Sequence, residues 1–132
     1  MAKEAPRILA IEDNQDISQL IAFILEKEGY QVLTAADGIS GLSIIKEVKP
    51  DLILLDVMMP EVSGYEVLDA IRKDKNSKIR ETPVVMITSK SMVEDVDQAL
   101  ELGANGYLVK PFRPAKLIEK VRELLVQETV SK

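Results

Sequence analysis

Four short segments carry groups able to do chemistry together: Glu12-Asp13, Asp56, Thr88-Ser89 and Lys110-Pro111. Each follows directly on a short apolar run. Three carboxylates in one pocket repel one another and raise one another's pKa, so they need a compensating charge. A hard divalent cation supplies it, and Mg2+ takes oxygen ligands while keeping several waters. Lys110 adds a further positive charge and Thr88 a hydroxyl. A cation, a lysine, a hydroxyl and an acidic nucleophile together suit phosphoryl transfer, where catalysis is mostly positioning and charge neutralisation. A carboxylate nucleophile that takes a phosphoryl group forms an aspartyl phosphate.

Taken singly, each group has an ordinary structural explanation. An acidic pair after a strand is usually a helix cap. Asp56 would serve as a turn residue, threonine suits strands, Lys110 would be a solvated edge and Tyr107 a core residue. The conjunction at four different strand ends is what points to a site. Composition narrows the chemistry further. The chain has no histidine and no cysteine, which removes the usual general base, the serine triad, disulfides and thiolate or histidine zinc sites. The net charge is −5, from 22 acidic and 17 basic residues. The most basic stretch, Arg72 to Arg80, also carries Asp74 and reads as a solvated loop, so no nucleic-acid patch is evident. No apolar run approaches the ~20 residues of a membrane span. Met1 to Pro6 lacks the apolar centre of a signal peptide, and the expected location is the cytoplasm.

The elements that must position these groups follow from periodicity. The 132 residues suit one domain, which buries roughly 65–70% of the surface its unfolded chain exposes. With 46% apolar but only 4% aromatic residues, the core must be aliphatic. Ile8 to Ile11 reads as a strand. Asn14 then caps a helix with Ile17, Leu20, Ile21, Ile24 and Leu25 on one stripe, ending at Gly29. Val32 to Ala35 is a second strand, and Asp37-Gly38 opens a helix with Leu42, Ile45 and Val48 inward, stopping before Pro50. Leu52 to Leu55 is apolar throughout, as in a parallel sheet covered on both faces. Ser63 and Glu66 form a capping box for a helix bearing Val67, Leu68 and Ile71. A polar loop, Lys73 to Thr82, leads to a fourth strand, Pro83 to Ile87. Ser91 and Glu94 form a second capping box, for a helix with Val93, Val96 and Leu100 that ends at Gly103. Tyr107 to Val109 is the fifth strand. Pro114 opens the last helix, with Leu117, Val121, Leu124 and Leu125 inward and a frayed tail from Glu128 to Lys132. A βα unit repeated five times predicts an α/β fold with a parallel sheet and helices on both faces. The polar groups then all lie at carboxyl ends, the ligand-binding edge of open α/β sheets. If strands one and three are neighbours at the switch point, Glu12, Asp13 and Asp56 converge.

In order along the chain, Ile11-Glu12-Asp13, Leu55-Asp56-Val57-Met58-Met59-Pro60 with Gly64, Val85-Met86-Ile87-Thr88 and Gly103 to Phe112 resemble the receiver domain of two-component response regulators. The resemblance runs from about Arg7 to Gln127. It implies a doubly wound, flavodoxin-like sheet with strand order 2-1-3-4-5. It implies that Asp56 accepts a phosphoryl group from a sensor histidine kinase or histidine phosphotransfer protein. Asp13 and Asp56 would bind Mg2+ directly with the backbone carbonyl of Met58, and Glu12 through a metal-bound water. Lys110 and Thr88 would contact the phosphoryl group, Tyr107 would turn between outward and inward rotamers with Thr88, and Lys110-Pro111 would be a cis peptide. The readout would be the surface of the fourth helix, fifth strand and fifth helix, meeting a downstream protein target. The domain would catalyse only its own phosphorylation and self-dephosphorylation.

Two positions that tune dephosphorylation in that family are Met58 and Lys90 here. Met58 offers no acid or amide to orient a water, so self-dephosphorylation is expected to be slow, with Lys90 shielding the phosphoryl group. Asn105-Gly106 stands where many DNA-binding regulators carry an acidic dimer residue, and Arg113, not serine or aspartate, precedes Pro114. Both disfavour that dimer mode, although a phosphorylation-dependent homodimer stays open. The expectation is a single domain without an output domain, leaning to a stand-alone regulator over a receiver cut from a longer DNA-binding or enzymatic protein, with no membrane or direct nucleic-acid contact. Three rivals are weaker. A haloacid-dehalogenase-like phosphatase needs a second aspartate where Met58 stands, a flavodoxin-like cofactor protein needs a phosphate-cradling loop where this chain has acids, and a pseudo-receiver would have lost site residues that are present here.

Overall fold

The computed structural model describes residues 5–89 and 96–130, the side chains of 96 and 126–130 excepted. Five parallel strands form one sheet in the order β2-β1-β3-β4-β5: β1 (Arg7–Ile11), β2 (Gln31–Ala35), β3 (Leu52–Asp56), β4 (Val84–Ser89) and β5 (Gly106–Lys110). The helices are α1 (Gln15–Lys27), α2 (Gly38–Val48), α3 (Gly64–Arg72), α4 (Ser77–Arg80), α5 (described as Val96–Glu101) and α6 (Pro114–Val130). This is the doubly wound order expected for the chain. The strands run longer than their apolar runs, so Asp56, Thr88, Ser89 and Lys110 belong to the strands and do not merely follow them.

Strand alternation divides the core into two layers. Leu9, Ile11, Ile53, Leu55 and Met86 face α2, α3 and α4, where Ile45, Val67, Leu68, Ile71 and Ile79 meet them. Ile8, Ala10, Leu52, Leu54, Val85 and Ile87 face the other way, against Ile21 and Leu25 of α1 and Leu117 and Val121 of α6. The all-apolar β3 is therefore a strand covered on both faces. Burying one such side chain contributes roughly 1.5–3 kcal/mol. Local signals fix the helix ends. Asn14 and Asp37 accept from the N–H groups of Ile17 and Ser40, and Ser63 and Glu66 complete their capping box. Gly29 and Gly103 stop α1 and α5 with φ of 95° and 105°.

Several expectations need correction. The stretch Lys73 to Thr82 contains a helical turn, α4, capped by Asn76 and anchored by buried Ile79. The helices counted fourth and fifth from sequence are therefore α5 and α6. Nor is Arg72 to Arg80 simply a solvated loop. Arg72 donates from Nε to the carbonyl of Gly103 (2.9 Å), from Nη1 to the carbonyls of Arg80 (2.9 Å) and Thr82 (2.8 Å), and from Nη2 to Asn105 Oδ1 (2.8 Å). Leu20 and Leu100 point to solvent, because neighbouring Ile21, Ile24 and Ala99 take the inward positions. Helix α6 continues to Val130, past the expected start of a tail. The Ser91–Glu94 capping box, Val93 and Lys90 lie outside the described residues.

Candidate functional site

Register builds the site from the sheet upward. Ile11 pairs with Leu55, and Asp56 with Ile87. Glu12 continues β1 by one residue, its N–H donating to the carbonyl of Ala35 at 2.9 Å. Glu12 and Asp56 therefore stand side by side at the carboxyl edge. On the next strands, Thr88 pairs with Val109 and Ser89 with Lys110. Glu12, Asp13 and Asp56 each bring a carboxylate oxygen within 4.8 Å of the others. Asp13 is exposed and the other two are buried.

Lys110 bridges the buried pair. Its Nζ lies 2.9 Å from Glu12 Oε1 and 3.4 Å from Asp56 Oδ2. The shorter contact is an ion pair without hydrogen-bond geometry, which leaves Glu12 Oε1 buried and unbonded. Glu12 Oε2 accepts from the Asn14 N–H at 3.0 Å, and Asp56 Oδ1 from the Met58 N–H at 3.2 Å. Burial, reinforced by the adjacent Glu12 carboxylate, pushes the Asp56 carboxyl up to about 7, against the opposing pull of Lys110 and the Met58 N–H. Burial pulls Lys110 down, but Glu12 and Asp56 outweigh it and hold the ammonium above its ordinary value.

Two buried acids thus meet a half-buried lysine, with a third acid at the rim, leaving an excess of negative charge. The donor set fits a hard dication. It offers carboxylate oxygens from three separate residues within 4.8 Å of one another, with one open side at exposed Asp13 for retained waters.

Thr88 is buried beside this pocket, and among the described residues its hydroxyl makes a long 3.4 Å bond to the Ser89 carbonyl. It gives up little if drawn elsewhere. Tyr107 is 39% exposed, in an outward position. Met58 is exposed at the mouth. The Lys110–Pro111 bond is cis.

Sequence reasoning overlooked three supports. Gly64 packs so closely under the site that a Cβ there would strike the Asp56 carbonyl oxygen. The β3–α3 loop turns at Glu61 with φ of 67°, in the left-handed region. Asn14, read only as a helix cap, also holds Glu12 through its backbone N–H. The Leu55 to Pro60 motif with Gly64 contained the signal for the first, but a backbone N–H leaves no mark in a sequence.

Residues 8–122 match the response regulator receiver domain family. The chain belongs to that family. As a receiver domain it is 41% identical over 120 residues to the DNA-binding dual master transcriptional regulator RpaA of Synechocystis, covering 91% of this chain and 49% of that protein. It is 36% identical over 119 residues to the DNA-binding response regulator MtrA of Mycobacterium tuberculosis, covering 90% of this chain and 50% of that one. The receiver chain spans about half the length of the curated relatives it matches. Among solved structures, a CheY-like receiver domain protein of Methanospirillum hungatei matches with a TM-score of 0.88 at 31% identity, covering 97% of this chain and 99% of that one. The chemotaxis protein CheY4 of Vibrio cholerae matches with a TM-score of 0.83 at 34% identity, covering 90% and 98%. No helix among the described residues is long and apolar enough to cross a membrane.

Proposed function

We propose that this receiver domain accepts a phosphoryl group on Asp56 and switches a protein-binding surface. The observation that carries the proposal is the buried Asp56 carboxyl held against Lys110 at 3.4 Å, with Glu12 and Asp13 beside it. The donor is a phosphohistidine of a sensor kinase or phosphotransfer protein. An Asp56 carboxylate oxygen forms the new O–P bond while the N–P bond of the phosphohistidine breaks. The electron pair leaves on the imidazole nitrogen, which takes up a proton.

Asp13, Asp56 and the Met58 carbonyl would hold Mg2+, with Glu12 acting through a bound water, and the cation would neutralise the carboxylates against the incoming phosphate. Lys110 lies where it can follow a phosphoryl oxygen without leaving Asp56. The Thr88 hydroxyl exchanges its long bond for a phosphoryl oxygen, and Tyr107 follows it inward. Phosphorylation adds about −1.5 to −2 charge and three acceptor oxygens, which reweight two existing conformations. The readout is the α5–β5–α6 surface, which meets a protein target in the cytoplasm. The domain turns over no substrate beyond its own phosphorylation and slow self-dephosphorylation. Exposed Met58 has no acid or amide to orient an attacking water.

Incubation with Mg2+ and a small acyl phosphate tests this directly. The parent chain gains the mass of one phosphoryl group and Asp56→Asn gains none. Equal labelling of both, or none of the parent, would overturn the proposal. In the same assay Met58→Asn loses the label faster than the parent, and an unchanged decay would refute the role given to Met58.

A further inference from the structure

The turns that follow β2 and β3 enclose a groove of about 420 Å3, within the range of roughly 300–1,000 Å3 common for ligand pockets. One wall is the start of α2, from Ala36 to Ser40, and the other is Pro60, Glu61 and Val62 of the β3–α3 loop. The walls are held close together. Gly38 sits so near the loop that an added Cβ would lie 2.8 Å from Val67 Cγ2 and 3.1 Å from Val62 Cγ1. The Val62 N–H donates to the Pro60 carbonyl at 2.8 Å, and the Ser40 N–H to Asp37 Oδ1 at 2.7 Å. The groove is therefore built into the fold.

Folding alone does not account for two features of its lining. Ile39 is 63% exposed at the lip, in a first helical turn where a polar residue would serve. A single exposed apolar side chain is ordinary, but this one stands over exposed Pro60 and half-buried Val62 across the groove. Glu61 keeps its side chain at φ of 67°, a left-handed conformation that glycine adopts without the steric cost. Asp37 is explained as a helix cap, yet its bond from the Ser40 N–H also holds its carboxyl below the ordinary value and keeps it charged. Two carboxylates thus line an apolar groove in which no cation among the described residues answers them.

We propose that this groove seats a segment of a partner protein that carries an arginine or lysine beside an aliphatic side chain. The aliphatic side chain covers Ile39, Pro60 and Val62, and the cation lies between Asp37 and Glu61. Charge complementarity selects this occupant. An acidic segment or a nucleic acid would meet two uncompensated carboxylates on a chain of net charge −5, and like charges brought together oppose binding. The groove shares no lining residue with the Glu12, Asp13 and Asp56 pocket or with the α5–β5–α6 surface. It adjoins the first through the loop that leaves Asp56, where the Met58 N–H donates to Asp56 Oδ1 at 3.2 Å and the Gly64 N–H to the Val57 carbonyl at 3.0 Å. A seated segment therefore touches that loop without entering the carboxylate pocket.

The probe is a short fluorescent peptide with two arginines flanking two leucines, titrated into the full chain. Its counterpart carries citrulline, of the same shape but uncharged, at both arginines. The arginine peptide binds about tenfold more tightly, the scale of two partly exposed charge pairs. Amide NMR shifts centre on Ile39, Ser40, Glu61 and Val62. Ile39→Ser loses about fivefold in affinity, and Glu61→Gln about threefold. Glu61→Gly weakens binding as much as Glu61→Gln yet raises the thermal midpoint, because glycine accepts the left-handed turn. A residue kept for the fold alone would not separate the two readouts in that way. Equal binding of the citrulline peptide overturns the proposal, as does binding of neither. So do shifts centred elsewhere, tighter binding of a glutamate analogue, or groove shifts that grow with protein concentration without peptide, which would make a second copy the occupant. None of these readouts uses labelling of Asp56, so they stand or fall apart from the phosphorylation reading.

Discussion

At the scale of single residues, the site depends on a carboxyl group that burial makes reluctant to ionise. Burial, with the Glu12 carboxylate beside it, pushes the Asp56 carboxyl up to about 7 in the folded domain, against ~3.9 for an exposed aspartate. The folded state therefore binds this proton more tightly than the unfolded state does. The stability that proton confers is fully present below the unfolded value and is lost as pH rises through the folded one. Between about pH 4 and pH 7 the metal-free domain should lose stability from this group, and Asp56→Asn should remove that part of the slope. Denaturant midpoints of both proteins across that range measure it, and parallel curves would contradict the assignment. Lys110 is raised as well, so the folded state also holds this proton more tightly, here in the charged form that Glu12 and Asp56 favour. Deleting it would leave two buried carboxylates without a counter-charge.

At the scale of elements, the far end of the sheet is tied by one guanidinium. Arg72, at the end of α3, joins α4, the entry to β4 and the corner between α5 and β5 through its four hydrogen bonds. Asn105 completes the joint, its side-chain oxygen also accepting from the Val84 N–H at 2.9 Å. A residue that sequence suggests only as a departure from a dimer motif is therefore a strand clamp. Replacing Arg72 with alanine removes four hydrogen bonds, three of them to half-buried carbonyls, and should cost on the order of 2–4 kcal/mol. Lysine should recover little, because an ammonium lacks the planar fork. Urea unfolding of the two variants decides the matter, and a lysine variant as stable as the parent would mean that charge alone suffices.

At the scale of the whole molecule, opposing tendencies meet at the carboxyl edge of the sheet. The two apolar layers hold β1, β3 and β4 in register, and the same register forces Glu12, Asp13 and Asp56 together against their repulsion. A bound dication should relieve that repulsion and stabilise the entire domain by mass action, about 2.7 kcal/mol at a hundredfold excess over its Kd. Calorimetry with and without Mg2+ should show the thermal midpoint rising, and Asp13→Asn should abolish most of the rise. An equal rise in that variant would place the cation elsewhere.

The sequence by itself determined the kinds of element, their order and the presence of the chemical groups. Those features are written in local periodicity, in caps such as Asn14 and Asp37, and in Ser63 with Glu66. Apolarity at every position of Leu52 to Leu55 likewise announced a strand covered on both faces. The single turn of α4 escaped notice because four residues are too few to carry a period. Which stripe positions face inward, as with Ile21 over Leu20, was decided by the packing of neighbouring helices. Only the tertiary structure brought Glu12 to Asp56, set Lys110 between them and joined Arg72 to Asn105. Such contacts depend on register between distant strands and on how much water the fold removes from a group, and neither quantity is a property of neighbouring residues along the chain.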